Sequence, residues 1–166
     1  MNDINRFSNV STWLFLVTFC LIFYGMGASF VESFVNYPTW PLIGANEFRS
    51  YHNVLGPLII DYMVIPMIVG TLLSIMLLWF RPVEIPLWAV IAAIALQLII
   101  WISTATIQVP IQHQLRADGQ SIPAIERLIS TNFWFRKVPQ VINSILFIWM
   151  MFMVLRARRS SPSGDR

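Results

Sequence analysis

Four long apolar stretches dominate this chain of 166 residues and limit the folds that it can adopt. They cover residues 12–35, 58–80, 86–107 and 138–155. A helix needs about 20 mostly apolar residues to cross a bilayer. Charged residues make up only 11% of the chain, against about 25% in a soluble domain. The sequence therefore predicts an all-α membrane protein built as a four-transmembrane-helix bundle.

The segments between the spans differ in length. Residues 81–86 are short and contain two prolines, which predicts a tight hairpin between the second and third spans. Residues 36–57 and 108–137 are long and rich in aromatic side chains, so we expect two long loops capping the extracytoplasmic end. Pro38 and Pro41 predict extended backbone in the first loop. Residues 1–159 are expected to form a single domain, and residues 160–166 a disordered tail.

An even number of spans places both chain ends on one side of the membrane. Arg156, Arg158 and Arg159 directly follow the last span, and basic residues close to span ends favour the cytoplasm. We expect a multi-pass protein of a bacterial inner membrane with both termini cytoplasmic and with membrane lipids as neighbours. The net charge of +3 forms no basic stripe among exposed aromatics, so no nucleic-acid partner is predicted.

Polar residues recur at steps of three and four in three of the spans, which puts each set on one helix face. The sets are Gly25, Ser29, Glu32 and Asn36; Gln97, Trp101, Thr104 and Gln108; and Arg136, Gln140 and Asn143. Polar groups are costly in hydrocarbon and usually face a bundle interior or a cavity. The stripes predict a pocket toward the outer end. In the remaining span, Pro66 should free the carbonyl of Tyr62 and kink the helix.

Several ionisable residues fall near the predicted outer end. His52 and His113 each lie about six residues beyond a span, roughly 9 Å along a helix. They form either a shared catalytic or metal site or two independent interfacial histidines. Glu32 and Asp61 are expected at similar depth, where they either tune the charge of a site or pair with Arg136 and Lys137.

A binding surface for an apolar aromatic or quinone-like molecule is also predicted at this end. Its candidate residues are Trp40, Tyr51, Gln108, Gln112, Asn132, Trp134 and Gln140. An interfacial aromatic belt is the alternative explanation for the aromatic members. Nucleotide-binding glycine motifs, His-Glu-x-x-His and Cys-x-x-Cys are absent from the sequence, and the single Cys20 excludes an intrachain disulfide.

Four short segments resemble those of small four-helix membrane proteins related to fungal anthrone oxygenases, a family mostly of unassigned function. They are Tyr37-Pro38-Thr39-Trp40, the stretch from Phe48 to His52, the stretch from Val109 to Leu115, and the stretch from Asn132 to Arg136. For characterised relatives the resemblance implies cofactor-independent oxygenation of a polycyclic phenol.

The leading functional hypothesis is a small membrane oxidoreductase or oxygenase-like protein. His52 or His113 would act as general base or ligand, Glu47, Glu32 and Asp61 would tune charge or hold a proton, and Arg136 would stabilise an oxyanion. One alternative is a non-catalytic accessory or scaffold subunit of a larger membrane complex. Another is a haem or metal protein that uses His52, His113 and Glu47. The cofactor thus stays open between none, a metal ion and haem.

Overall fold

Four long helices build the protein in a computed structural model that describes the backbone of residues 2–160 and the side chains of residues 9–159. They are α1 (residues 2–42), α2 (residues 45–80), α3 (residues 87–118) and α4 (residues 122–160). All four are long and apolar enough to cross a membrane, which confirms the predicted all-α architecture. Residues 161–166 of the expected tail lie outside the described residues, and Ser160 ends α4.

The prediction of two long loops is wrong, because the helices continue through both segments. Short turns at residues 43–44 and 119–121 connect α1 to α2 and α3 to α4. Gly119 adopts a φ of 89° in the second turn, a conformation that favours glycine. We call this end of the bundle the outer end.

The α2–α3 hairpin lies at the inner end as predicted, where the Arg81 guanidinium donates to the carbonyls of Ile85 (3.0 Å) and Leu78 (3.2 Å).

Each helix contains one π-helical turn, and a proline follows two residues after it. The turns are Glu32–Asn36, Ile60–Val64, Thr104–Gln108 and Phe133–Lys137, followed by Pro38, Pro66, Pro110 and Pro139. The residue before each proline donates its N–H to the carbonyl five residues back, as Tyr37 does to Glu32. A proline ring clashes with the carbonyl four residues back in a regular α-helix, and the wider turn accommodates it. The extended backbone expected around Pro38 is therefore replaced by helix.

Pro66 frees the carbonyl of Tyr62, as predicted, and a neighbouring helix binds it. The Tyr24 hydroxyl on α1 donates a hydrogen bond of 2.7 Å to the carbonyl of Tyr62. That carbonyl lies four residues before Pro66, which has no N–H to offer it. The bond therefore satisfies the freed carbonyl and joins α1 to α2.

Two separate apolar cores hold the helices together. The inner core contains Phe15, Leu77, Ala93, Phe147 and Met150, and the Phe15 and Phe147 rings stack with centroids 6.1 Å apart. The outer core packs the helix extensions against one another and contains Tyr37, Trp40, Phe48, Ile111, Leu115, Ala124, Ile125 and Leu128. The polar stripes occupy the layer between these cores.

Candidate functional site

A cavity of about 230 Å³ lies beneath the outer core. All four π-helical turns contribute to its wall, since Glu32, Met63, Gln108 and Arg136 each come from a different one. π-Helical turns occur frequently at functional sites. The remaining wall is mostly apolar, including Leu55, Ile59, Val64 and Val109. We call this space the outer cavity.

His52 is held rigidly in the wall of the outer cavity. Its ring is only 3% exposed and packs against Trp40 and Phe48, with centroid distances of 5.3 and 5.7 Å. The Nε2 atom lies 2.6 Å from Oε1 of Gln112. Because an amide oxygen only accepts hydrogen bonds, Nε2 carries the hydrogen. The Nδ1 atom, which is buried and has no hydrogen-bond partner, is left with a basic lone pair.

Positive charge accumulates beside the cavity. Arg136 and Lys137 are 6% and 2% exposed. The Lys137 ammonium donates to the carbonyl of Ser29 (2.8 Å), to the Ser29 hydroxyl and to Oε1 of Gln140 (3.2 Å). All three acceptors are neutral, so hydrogen bonding satisfies Lys137 without cancelling its charge.

Glu32 is the carboxylate of the cavity wall, but it does not form the predicted ion pair. Its Oε2 accepts a hydrogen bond of 2.5 Å from Nδ2 of Asn36, one turn further along α1. Arg136 and Lys137 attract the Glu32 carboxylate through space. The buried Tyr37 side chain also interacts with Arg136 and Gln112. One acidic side chain therefore faces two buried basic side chains at this site.

Four side chains of the cavity wall each have one buried polar atom without a hydrogen-bond partner. These atoms are Trp40 Nε1, His52 Nδ1, Gln108 Oε1 and Arg136 Nε. Trp40 and Arg136 are donors, whereas His52 Nδ1 and Gln108 Oε1 are acceptors. Leaving such a group unpaired costs about 1–3 kcal/mol. A ligand that both donates and accepts hydrogen bonds would complement this set.

The structure brings seven of the predicted site residues to the outer cavity: Glu32, Trp40, His52, Gln108, Gln112, His113 and Arg136. The two histidines share the cavity, although His52 is buried and His113 is exposed. Asn132 lies elsewhere in the bundle, where its Nδ2 donates to the Ser33 hydroxyl at 2.7 Å. Gln140 lines a second cavity nearer the middle of the bundle.

Four predicted site residues are exposed and absent from the cavity wall: Glu47, Tyr51, Asp61 and Trp134. Tyr51 directly precedes His52, and neighbours in a helix point in different directions. Asp61 is exposed on α2 and absent from the cavity wall, so it does not join Glu32 at a shared site. Trp134, which is 65% exposed, suits the aromatic-belt explanation.

The described side chains include no group of three His, Cys, Asp or Glu residues that could hold a metal ion. Glu47 does not approach the two histidines in the cavity wall. A cavity of about 230 Å³ compares with the about 150 Å³ that encloses benzene, so it is too small for a haem macrocycle. The metal and haem hypotheses therefore receive no support from the site.

Among the residues of the cavity wall that sequence reasoning did not assign to the site are Tyr37, Gly56 and Arg116. Tyr37 directly precedes Pro38, just as Ile65, Val109 and Val138 precede the other three prolines. This repeated spacing of prolines within or next to the apolar spans is the sequence signal that could have predicted a shared layer of residues at the depth of the cavity. Gly56 and Arg116 had no comparable signal, because their contact depends on how α2 packs against α3.

A second and smaller cavity of about 30 Å³ lies deeper in the bundle. All four helices line it, and its polar members include Gln97, Gln140 and Asn143. Gln97 donates from Nε2 to the Ser74 hydroxyl at 3.1 Å. The stripes therefore face the interior as expected and continue below the outer cavity.

Comparison with known proteins identifies no relative: no family model, no curated protein and no solved structure matches this chain.

Proposed function

We propose that this protein is a small membrane oxidoreductase of the oxygenase type that binds a phenolic or quinone-like aromatic molecule in the outer cavity. The observation that carries the proposal is the pair of unpartnered atoms His52 Nδ1 and Arg136 Nε on a largely apolar wall. A phenol combines a hydroxyl that can lose a proton, an oxygen that can accept a hydrogen bond, and an apolar ring.

The proposed first step is proton transfer from the phenol to His52. The O–H bond breaks, the proton moves to Nδ1, and the electron pair stays on the phenolate oxygen. Gln112 keeps the hydrogen on Nε2, so that Nδ1 is free to accept. Arg136 then donates from Nε to the phenolate. Fixed cations in a dry site stabilise such an oxyanion strongly.

Deprotonation makes the ring electron-rich and prepares it for oxidation by dioxygen. With 1-naphthol, one dioxygen molecule would yield one 1,4-naphthoquinone and one water, with one oxygen atom going to each product. The naphthol loses four electrons and dioxygen gains four. This reaction is similar in type to that implied by the anthrone oxygenase resemblance.

The size of the cavity narrows the ligand class. A cavity of about 150 Å³ encloses benzene, so about 230 Å³ suits one or two fused rings. A three-ring anthrone would require the helices to move apart. We therefore propose a smaller substrate than the one that the family resemblance implies.

The test uses purified protein in lipid nanodiscs with 1-naphthol as the probe. We expect oxygen uptake matched by naphthoquinone formation, and a loss of about 100-fold or more in His52→Gln, since general base catalysis contributes about that much. Asn53→Ala is the matched control, because Asn53 is exposed and lies next to His52 outside the cavity wall. Equal rates in wild type and His52→Gln, or no naphthol binding, would reject the proposal.

One observation favours a second candidate, an accessory subunit of a membrane complex. Asp61 is exposed beside Ile60 and Tyr62, which are 50% and 67% exposed. A carboxylate facing lipid is costly unless it is paired, and a cation from another membrane protein would pair with it. Native mass spectrometry of solubilised membranes should then detect a bound second chain that Asp61→Asn loses and Asp118→Asn retains. Identical spectra for the two variants would reject this candidate.

We place the protein in a bacterial inner membrane with both chain ends in the cytoplasm. Support comes from Arg156, Arg158 and Arg159 at the inner end of α4. Fusions of a fluorescent protein and of alkaline phosphatase to the C-terminus test this orientation. Fluorescence without phosphatase activity is expected, and the reverse result would invert the topology.

A further inference from the structure

The outer cavity reaches the surface of the bundle between α2 and α3. Two apolar residues of its wall also form part of the outside surface: Ile60 on α2 is 50% exposed and Val109 on α3 is 41% exposed. Val64 and Thr104, which are partly buried, continue the same slot. We call the opening formed by these four residues the α2–α3 slot.

The slot lies where the outer edge of the hydrocarbon is expected. Ile60 precedes Phe80, the inner end of α2, by 20 residues. At 1.5 Å per residue this is about 30 Å, which matches the thickness of the hydrocarbon layer, about 30 Å. On α3, the apolar run ends at Ile107, next to Gln108 and Val109. The lower part of the slot therefore borders lipid tails.

Above the slot, the outer core covers most of the cavity, and His113 and Arg116 of the cavity wall are exposed there. Tyr37, Trp40 and Leu115 of this core are at most 3% exposed. At the upper rim, the Arg116 guanidinium lies so close to Gly56 that a Cβ there would be 2.6 Å from Nη2. The absence of a side chain at Gly56 thus leaves room for a cation at the level of the lipid headgroups.

We propose that the ligand reaches the outer cavity sideways from the outer leaflet, through the α2–α3 slot. This inference rests on the proposed function and adds to it that the substrate is a bilayer-dissolved amphiphile. Its apolar part passes Ile60, Val64 and Val109, and its polar group stays near the headgroup level beside Arg116. Aromatic amphiphiles concentrate at this depth of a bilayer.

The experiment follows 1,4-naphthoquinone binding to liposome-reconstituted protein through quenching of Trp40, with the other six tryptophans replaced by phenylalanine. Cys20 is replaced by alanine, because quinones alkylate thiols. The test variant, Ile60→Phe with Val109→Phe, narrows the slot. Val35→Phe is the matched control, since Val35 is 55% exposed at the outer part of α1 and outside the cavity wall.

We expect the double variant to slow association and dissociation by about tenfold each with little change in Kd, because a narrowed entrance raises the barrier in both directions. The control should keep wild-type rates. Unchanged rates in the double variant would overturn the lateral route while leaving the proposed function intact. If naphthoquinone gives no saturable quenching of Trp40 in the protein that keeps Ile60 and Val109, the proposed function itself is rejected. The lateral route is then rejected with it.

A second measurement covers the case in which the double variant does not fold. A bimane label on Val109→Cys in the Cys20→Ala background should be quenched by brominated lipid more than by aqueous iodide. The opposite order would show that the slot opens to water, and would overturn the lateral route.

Discussion

His52 and Gln112 join α2 to α3 through a hydrogen bond of 2.6 Å between imidazole Nε2 and amide Oε1. The partner of His52 is a neutral amide, so the bond selects a tautomer and favours the imidazolium less than a carboxylate would. It also ties the two helices together above the α2–α3 slot. The orientation of the base and the width of the cavity therefore depend on the same contact.

The first prediction concerns this tautomer. In wild-type protein, ¹⁵N NMR of labelled histidine should show His52 with hydrogen on Nε2 and none on Nδ1. Gln112→Leu removes the acceptor, so both tautomers should become populated and naphthol turnover should fall by about tenfold, with binding less affected. Gln114→Leu is the control, since Gln114 is exposed on the same helix. A wild-type spectrum with hydrogen on Nδ1 would contradict the assignment.

The second prediction concerns the carbonyl that Pro66 frees. Tyr24→Phe removes the donor of the 2.7 Å bond to the Tyr62 carbonyl and should lower the free energy of unfolding by about 0.6 kcal/mol, the average for interhelical bonds in membranes. Tyr62→Phe is the matched control, because it keeps the backbone carbonyl and alters only an exposed side chain. Steric trapping in bicelles measures both values. Equal losses in the two variants would show that the bond contributes nothing specific.

The spans, the inner hairpin and the inward direction of the polar stripes could be predicted from the sequence. The spans follow from the length of the apolar stretches and the hairpin from its two prolines. The direction of the stripes follows from their repeat of three and four residues, which fixes the rotation of a helix about its axis. Pro66 was equally informative, because its missing N–H affects one identifiable carbonyl. The sequence also placed His52, Gln112 and Arg136 at one end of the bundle.

The errors arose where a single residue had no periodic context. Asp61 is the lone charged residue of its span, so nothing fixed its direction, and it faces outward. Tyr51 was assigned to the site as an aromatic residue near the outer end, but it directly precedes the buried His52, and adjacent helical residues diverge. The loops were overestimated because prolines usually end helices. Here the π-helical turns absorb them, and that depends on packing among all four helices.

The third prediction concerns the connection that holds the outer end closed. Gln120 donates from Nε2 to the carbonyls of Trp40 (3.0 Å), Pro41 (3.3 Å) and Ile43 (2.8 Å) at the end of α1. The Trp40 carbonyl also accepts the N–H of Ile43 at 3.2 Å, and the last carbonyls of a helix generally lack intrahelical partners. Gln120→Ala should therefore lower the free energy of unfolding by about 1 kcal/mol. Gln114→Ala serves as the control in the same assay. No difference between the two variants would mean that water replaces the Gln120 amide without cost.

The fourth prediction is a bound water in the smaller cavity. Gln97 Oε1 and Asn143 Oδ1 are buried without partners in its wall. The nearby hydroxyls cannot serve them, since Ser74 donates to the carbonyl of Gly70 (2.9 Å) and Thr71 to that of Met67 (3.0 Å). The volume of about 30 Å³ exceeds the about 10–15 Å³ that one water requires. A single water that donates to both oxygens would therefore satisfy them.

Water-edited solid-state NMR detects the bound water of the smaller cavity through magnetisation transfer from water to the side-chain carbonyl carbons of Gln97 and Asn143. Both should receive it faster than Ala93, which lies in the dry inner core. The double variant Gln97→Leu with Asn143→Leu removes both acceptors together, so its free energy of unfolding should stay within about 1 kcal/mol of wild type. Gln97→Leu alone should cost more than the pair, because it leaves Asn143 Oδ1 with a poorly held water. Transfer no faster than to Ala93 would show that the cavity is dry.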